Sequence, residues 1–135
     1  MGVSLQDLDA SKAGETPFEF EYINQAGNKT GIFFSVLGGQ SEKVSKEIAR
    51  LINERRHKEA VRETFRKGNP NKVEFEPLED DVEFGQRLAA VRLAGWRGID
   101  DPFSAENALR LCKGNREIAA QVTAQSDAVG NFIQL

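Results

Sequence analysis

From Phe18 to Tyr22, aromatic and acidic residues alternate, with Phe18, Phe20 and Tyr22 on one side and Glu19 and Glu21 on the other. A period of two built on aromatic residues predicts a β-strand with an aromatic face. The run Gln25-Ala26-Gly27-Asn28-Lys29-Thr30-Gly31 is rich in turn formers. Ile32 to Leu37 predicts a second strand, closed by Gly38-Gly39, so the two strands form a β-hairpin with a loop longer than the tightest turns. Phe33 and Phe34 are adjacent on that strand and therefore point to opposite faces. One of them has to cover a second layer, another copy or a bound partner. A lone hairpin is marginal in water, so it must pack on something.

The period then changes. Ser41 is a good N-cap with Glu42 in the first turn, and a helix is predicted to about Lys67, stopped by Gly68 and Pro70. Val44, Ile48, Leu51 and Ile52 form its apolar stripe. Glu54-Arg55-Arg56-His57-Lys58-Glu59 then holds no apolar residue, so the second half projects into solvent. Asn69 to Asp80 is expected to be a loop around Val73, Phe75 and Leu78, because Pro70 and Pro77 oppose a helix. A second helix is expected from Asp80 or Asp81 through Val82, Phe84, Leu88, Ala89, Val91, Leu93 and Ala94, ending at Gly95-Trp96-Arg97-Gly98. A third follows its N-cap Ser104 and is broken at Gly114-Asn115. A fourth carries Ile118, Ala119 and Val122. Residues 1–16 are polar apart from Val3, Leu5 and Leu8, and are expected to be a flexible arm unless that trio is a docking motif. The expected architecture is α+β: one domain over 17–135, with an N-terminal β-hairpin packed on a mainly helical body of about four helices.

Composition narrows what such a domain does. The chain has 135 residues, 39% of them apolar and 29% charged, with a formal net charge of −3. That supports one hydrophobic core and gives no global field toward nucleic acid or an acidic membrane. No apolar run approaches the length of a membrane span. A single cysteine, Cys112, excludes an internal disulfide and a thiolate metal cage, and its apolar neighbours Leu109 and Leu111 make it a small core residue. The one histidine, His57, sits among Arg55, Arg56 and Lys58, which marks a solvated imidazole rather than a general base. The acids Glu79, Asp80, Asp81 and Glu83 lack the spacing and central glycine of a calcium loop. Residues 117–135 contain no Lys or Arg, so a recognition helix there has nothing to hold phosphates with. No catalytic residue, metal or cofactor is therefore expected, and neither nucleic acid nor membrane is an expected partner.

Charge is nonetheless uneven. Residues 42–67 hold nine basic and five acidic side chains, whereas residues 73–83 hold six acids and no base. The two blocks read first as solvated faces; the sharper alternative is that the acidic stretch docks on the basic helix, in the same chain or in a neighbouring copy.

The second half carries a recognisable order of residues. Trp96-Arg97-Gly98, a short acidic loop Ile99-Asp100-Asp101, Pro102-Phe103-Ser104, then Glu106-Asn107-Ala108-Leu109 and Leu111 resembles a pattern in tailed-phage tail assembly chaperones. The closing Asn131-Phe132, the opening Leu5 to Ala10 and the hairpin followed by a charged helix fit the same order. The resemblance implies a non-enzymatic protein that binds the long, hydrophobic tape measure protein in the host cell cytoplasm. It would keep that client soluble, assist polymerisation of tail tube protein around it, and be missing from the mature virion. A structural component of the tail or its connector, or a small non-phage adaptor, are the alternatives. A holdase works through exposed apolar contacts, for which the candidates are Phe33, Phe34, Phe75, Leu78, Phe132, Ile133 and Leu135. Trp96, Phe103, Ser104 and Asn107 are expected as structural anchors, with Trp96 buried between the second and third helices. The free hairpin edges and complementary charge blocks point to a homo-oligomer.

Overall fold

A computed structural model describes residues 2–68 and 77–135, the side chains of 77–80 excepted. The fold is α+β. Strands β1 (Phe18–Ile23), β2 (Lys29–Val36) and β3 (Leu93–Arg97) form an antiparallel sheet in the order β1-β2-β3. Helices α1 (Ala10–Ala13), α2 (Glu42–Gly68), α3 (Pro77–Ala90), α4 (Ala105–Gly114) and α5 (Arg116–Asp127) complete the architecture, with short 3-10 turns at Gln6–Leu8 and Val129–Asn131.

The hairpin register explains its aromatic face. Phe20 lies opposite Phe34, and Phe34 lies opposite Trp96. The three rings meet across the sheet, Phe20–Phe34 tilted with centroids 5.9 Å apart and Phe34–Trp96 edge-on at 6.4 Å. This places Trp96 on a strand, where a helix end was expected. Leu93-Ala94-Gly95-Trp96-Arg97 has no clean alternation, and Ala and Gly are poor strand formers. Its strand conformation comes from pairing with β2, a long-range gain that outweighs local preference. The turn after β3 requires glycine: Gly98 has φ +87°, and a Cβ there would strike the carbonyl oxygen of Gly31.

Helix α3 begins about a turn earlier than expected, at Pro77. Proline is tolerated in a first helical turn, where its missing N–H has no intrahelical partner to lose. Val73 and Phe75 lie outside the described residues.

The core lies between the inner sheet face and α3, α4 and α5. It contains Tyr22, Phe34, Val36, Ala89, Leu93, Ala108, Cys112, Ile118 and Val122. Polar bonds fix α5 against the hairpin. The Tyr22 hydroxyl donates to Glu117 at 2.9 Å, Gln121 donates to the Ile23 carbonyl at 2.7 Å, and Ser126 donates to the Leu37 carbonyl at 2.7 Å. Buried Arg92 donates to the Leu88 carbonyl at 2.8 Å and pairs with Asp127 at 3.1 Å, joining the end of α3 to the end of α5. Asn115 accepts from the Ile118 N–H at 3.0 Å and caps α5.

Ser41 starts α2 as expected, its hydroxyl accepting from the Val44 N–H at 3.3 Å. Val44 and Leu51 are buried, while Val61 in the distal half is exposed. The acidic and basic blocks meet in part. Asp81 pairs with Arg55, whose guanidinium also lies 4.6 Å from the Phe84 ring centre. Arg87 makes two bonds to the Glu54 carboxylate, at 2.9 and 3.3 Å, and holds that carboxyl below the usual range. Glu83, in contrast, turns to Lys113 of α4 at 3.6 Å.

The base of the arm is fastened at Gly14. Asp9 accepts from the N–H groups of Ser11 at 3.0 Å and Lys12 at 3.4 Å, capping α1. The Gly38 N–H donates to the Gly14 carbonyl at 2.8 Å. A Cβ on Gly38 would come within 2.8 Å of the Gly14 Cα, so the two glycines allow the backbones to touch.

Candidate interaction surface

The residues proposed for partner contact separate into buried and accessible groups. Phe34 is 1% exposed and belongs to the core, which removes it from the contact surface. Its neighbour Phe33 points to the opposite sheet face, as adjacent strand residues must. There the Arg97 guanidinium lies 3.8 Å from its ring centre, and the Glu19 carboxylate holds Arg97 at 2.8 to 3.3 Å. Phe33 is thus an aromatic shelf under an ion pair rather than a bare apolar contact.

Phe132 also differs from the expectation of a free tail. Its ring packs edge-on against Phe18 at 6.1 Å and joins the periphery of the core. The 3-10 turn carries it there: the Phe132 N–H donates to the Val129 carbonyl at 3.0 Å, and Asn131 donates to the Gln125 carbonyl at 2.9 Å. Ile133 is half-buried, and Leu135 is 82% exposed. Phe75 lies outside the described residues, as does the side chain of Leu78.

The anchor residues converge. Trp96 donates its indole N–H to the Asp101 carbonyl at 2.9 Å, and its ring meets Phe103 edge-on at 5.1 Å. Ser104 accepts from the Asn107 N–H at 3.0 Å and caps α4, while Asn107 donates back to the Pro102 carbonyl at 2.9 Å. The Pro-Phe-Ser-x-Glu-Asn stretch is therefore a closed set of bonds that fixes the loop between β3 and α4. Beside it opens a hollow of about 320 Å³. Trp96, Ile99 and Leu111 form its apolar wall, and Asn107, Arg110 and Asn115 lie around it. Sequence pattern alone did not bring Ile99, Arg110 and Asn115 together, because they become neighbours only when β3 and the α4–α5 corner pack.

Apolar side chains are also presented by the arm. Leu5 is 88% exposed and Val3 56%, with Leu8 and Val129 about half exposed. The Gly14–Gly38 contact and the approach of the Phe132 ring to Gly38 bring the base of the arm and the closing segment to the same edge.

Among the described residues, no group of three or more His, Cys, Asp or Glu is placed to hold a metal ion, and no helix is long and apolar enough to cross a membrane. Cys112 is buried, and desolvation pushes its thiol up to about 11. His57 lies on the exposed side of α2. No family model, curated protein or solved structure matches the chain.

Proposed function

We propose that this chain is a phage tail assembly chaperone that binds the tape measure protein in the host cytoplasm, keeps it soluble, and assists assembly of the tail tube. The observation that supports this reading most is the combination of a well-packed α+β body with exposed leucine and valine side chains on its arm and closing segment. Apolar contacts carried on a charged, folded body are what a holdase uses to cover the stripes of an elongated helical client. The motif residues that resemble the family add to it, since Trp96, Phe103, Ser104 and Asn107 act as one bonded unit. The chain acts by covering surface, and no chemical step is assigned to it.

The rival reading, a structural tail or connector component, is separated by composition of the particle. Mass spectrometry should find the chain in lysates during assembly and not in purified virions. Its presence in virions at stoichiometric levels would favour the structural reading.

A further inference from the structure

We propose that the hollow beside Trp96 receives the N-terminal arm of a second copy of this chain, so that copies join head to tail. The hollow is at the small end of ligand-pocket sizes, ample for leucine side chains and too small for a helix. Its wall is apolar, from Trp96, Ile99 and Leu111, and Arg110 stands over it. Arg110 is exposed and makes no ion pair with any described residue.

The arm has the complementary form. In a 3-10 turn, residues three apart stack on one side, so Leu5 and Leu8 project together. Asp7, the residue before Leu8, projects about a third of a turn from that side. The turn is set before docking, because the Ser4 N–H donates to the Asp7 carboxylate at 3.0 Å and the Asp7 N–H donates to the Ser4 hydroxyl at 3.2 Å. A preset turn lowers the ordering cost of binding. Asp7 makes no ion pair with any described residue and is available to Arg110. Asp101 also borders the hollow, but Arg116 on the same α4–α5 corner is exposed and unpaired among the described residues, so the rim favours an acidic guest.

The chain's own arm is badly placed to fill its own hollow. Gly14 is held to Gly38, and the neighbouring Gly39 N–H donates to the Ser126 carbonyl at 2.9 Å, which puts the arm's base at the C-terminal end of α5. The hollow lies at the other end, beside the α5 N-cap Asn115. Twelve helical residues separate those ends, roughly 18 Å. In this structure the arm does not cross that distance: α1 is formed, Gly14 is held, and Leu5 stays 88% exposed. A second copy can present the same arm to the hollow with α1 and the Gly14 contact intact. Because arm and hollow are different patches, the interface is heterologous and propagates into a ring or a chain of copies. This assembly does not depend on the identity of the client.

The test uses two folded full-length variants, one Leu5→Ser with Leu8→Ser, the other Arg110→Glu with Leu111→Ser. The first keeps its hollow and the second keeps its arm. Wild type should associate with rising concentration in sedimentation velocity, and each variant alone should associate at least about tenfold more weakly. An equimolar mixture restores one matched interface and should give dimers without larger species. Emission from Trp96, the sole tryptophan, should shift in the arm-intact, hollow-intact pairing only. Arg110→Glu alone, at an exposed position, serves if Leu111→Ser lowers the melting temperature. A monomeric wild type, undiminished association of the arm variant, or a mixture that stays monomeric would each overturn the proposal.

Discussion

Replacing Trp96 tests whether the family-like segment is held as the geometry implies. Its indole makes two edge-on ring contacts, with Phe34 and Phe103, and one hydrogen bond to the Asp101 carbonyl. Each ring pair contributes about 0.5–1.5 kcal/mol beyond its buried area, and an amide-type hydrogen bond contributes about 0.5–1.5 kcal/mol net. Tryptophan-to-alanine changes in cores cost about 3–5 kcal/mol. Trp96 is half-buried, so Trp96→Ala should fall near the lower end, roughly 3 kcal/mol, or on the order of 10 °C in melting temperature for a domain of this size. Trp96→Phe keeps ring contacts and loses the hydrogen bond, so it should cost about 1 kcal/mol. Urea titration followed by far-UV circular dichroism reads both, since the substitution removes the chain's only tryptophan fluorophore. Equal losses for Phe and Ala would mean that the hydrogen bond dominates, and an alanine cost under about 1 kcal/mol would mean that the ring contacts hold nothing; either refutes the packing argument.

Three further outcomes follow from the same geometry. Gly98→Ala should destabilise by about 2 kcal/mol or more in thermal melts, because the left-handed backbone and the Gly31 carbonyl both oppose a Cβ. Phe132→Ala should lower stability by roughly 2 kcal/mol, whereas Leu135→Ser should leave the melt unchanged, as one packs on Phe18 and the other is exposed. The Cys112 thiol should resist a thiol reagent at pH 8 in the native state and react on unfolding; with its folded value raised, stability should hold below about pH 9 and fall as pH rises toward 11.

Much of this fold is legible residue by residue. The alternation of Phe18, Phe20 and Tyr22 marks the inner face of β1, and Ser41, Ser104 and the Gly114-Asn115 break each sit where a helix begins or ends. These signals are local, so a single sequence carries them. Strand β3 is not local: Leu93 to Arg97 looks like the tail of an amphipathic helix until β2 offers a partner. Pro77 reads as a breaker, yet it opens α3. The candidate surface is less legible for the same reason. Phe33 and Phe34 are indistinguishable as residues, and register alone decides which one is buried. Phe132 beside Gly130 reads as a loose end, and only the turn at Val129–Asn131 returns it to Phe18. The hollow draws its residues from β3, the following loop and the α4–α5 corner, and no spacing along the chain announces it.

The central proposal is that this chain covers an elongated apolar client. The most direct measurement is co-expression with a phage tape measure protein, followed by affinity capture of the tagged chain and fractionation of the lysate. The account predicts that the tape measure protein is insoluble when made alone, becomes soluble in the presence of the chain, and is captured with it. A tape measure protein that stays in the pellet and is not captured, with the tagged chain folded and abundant in the supernatant, would contradict it.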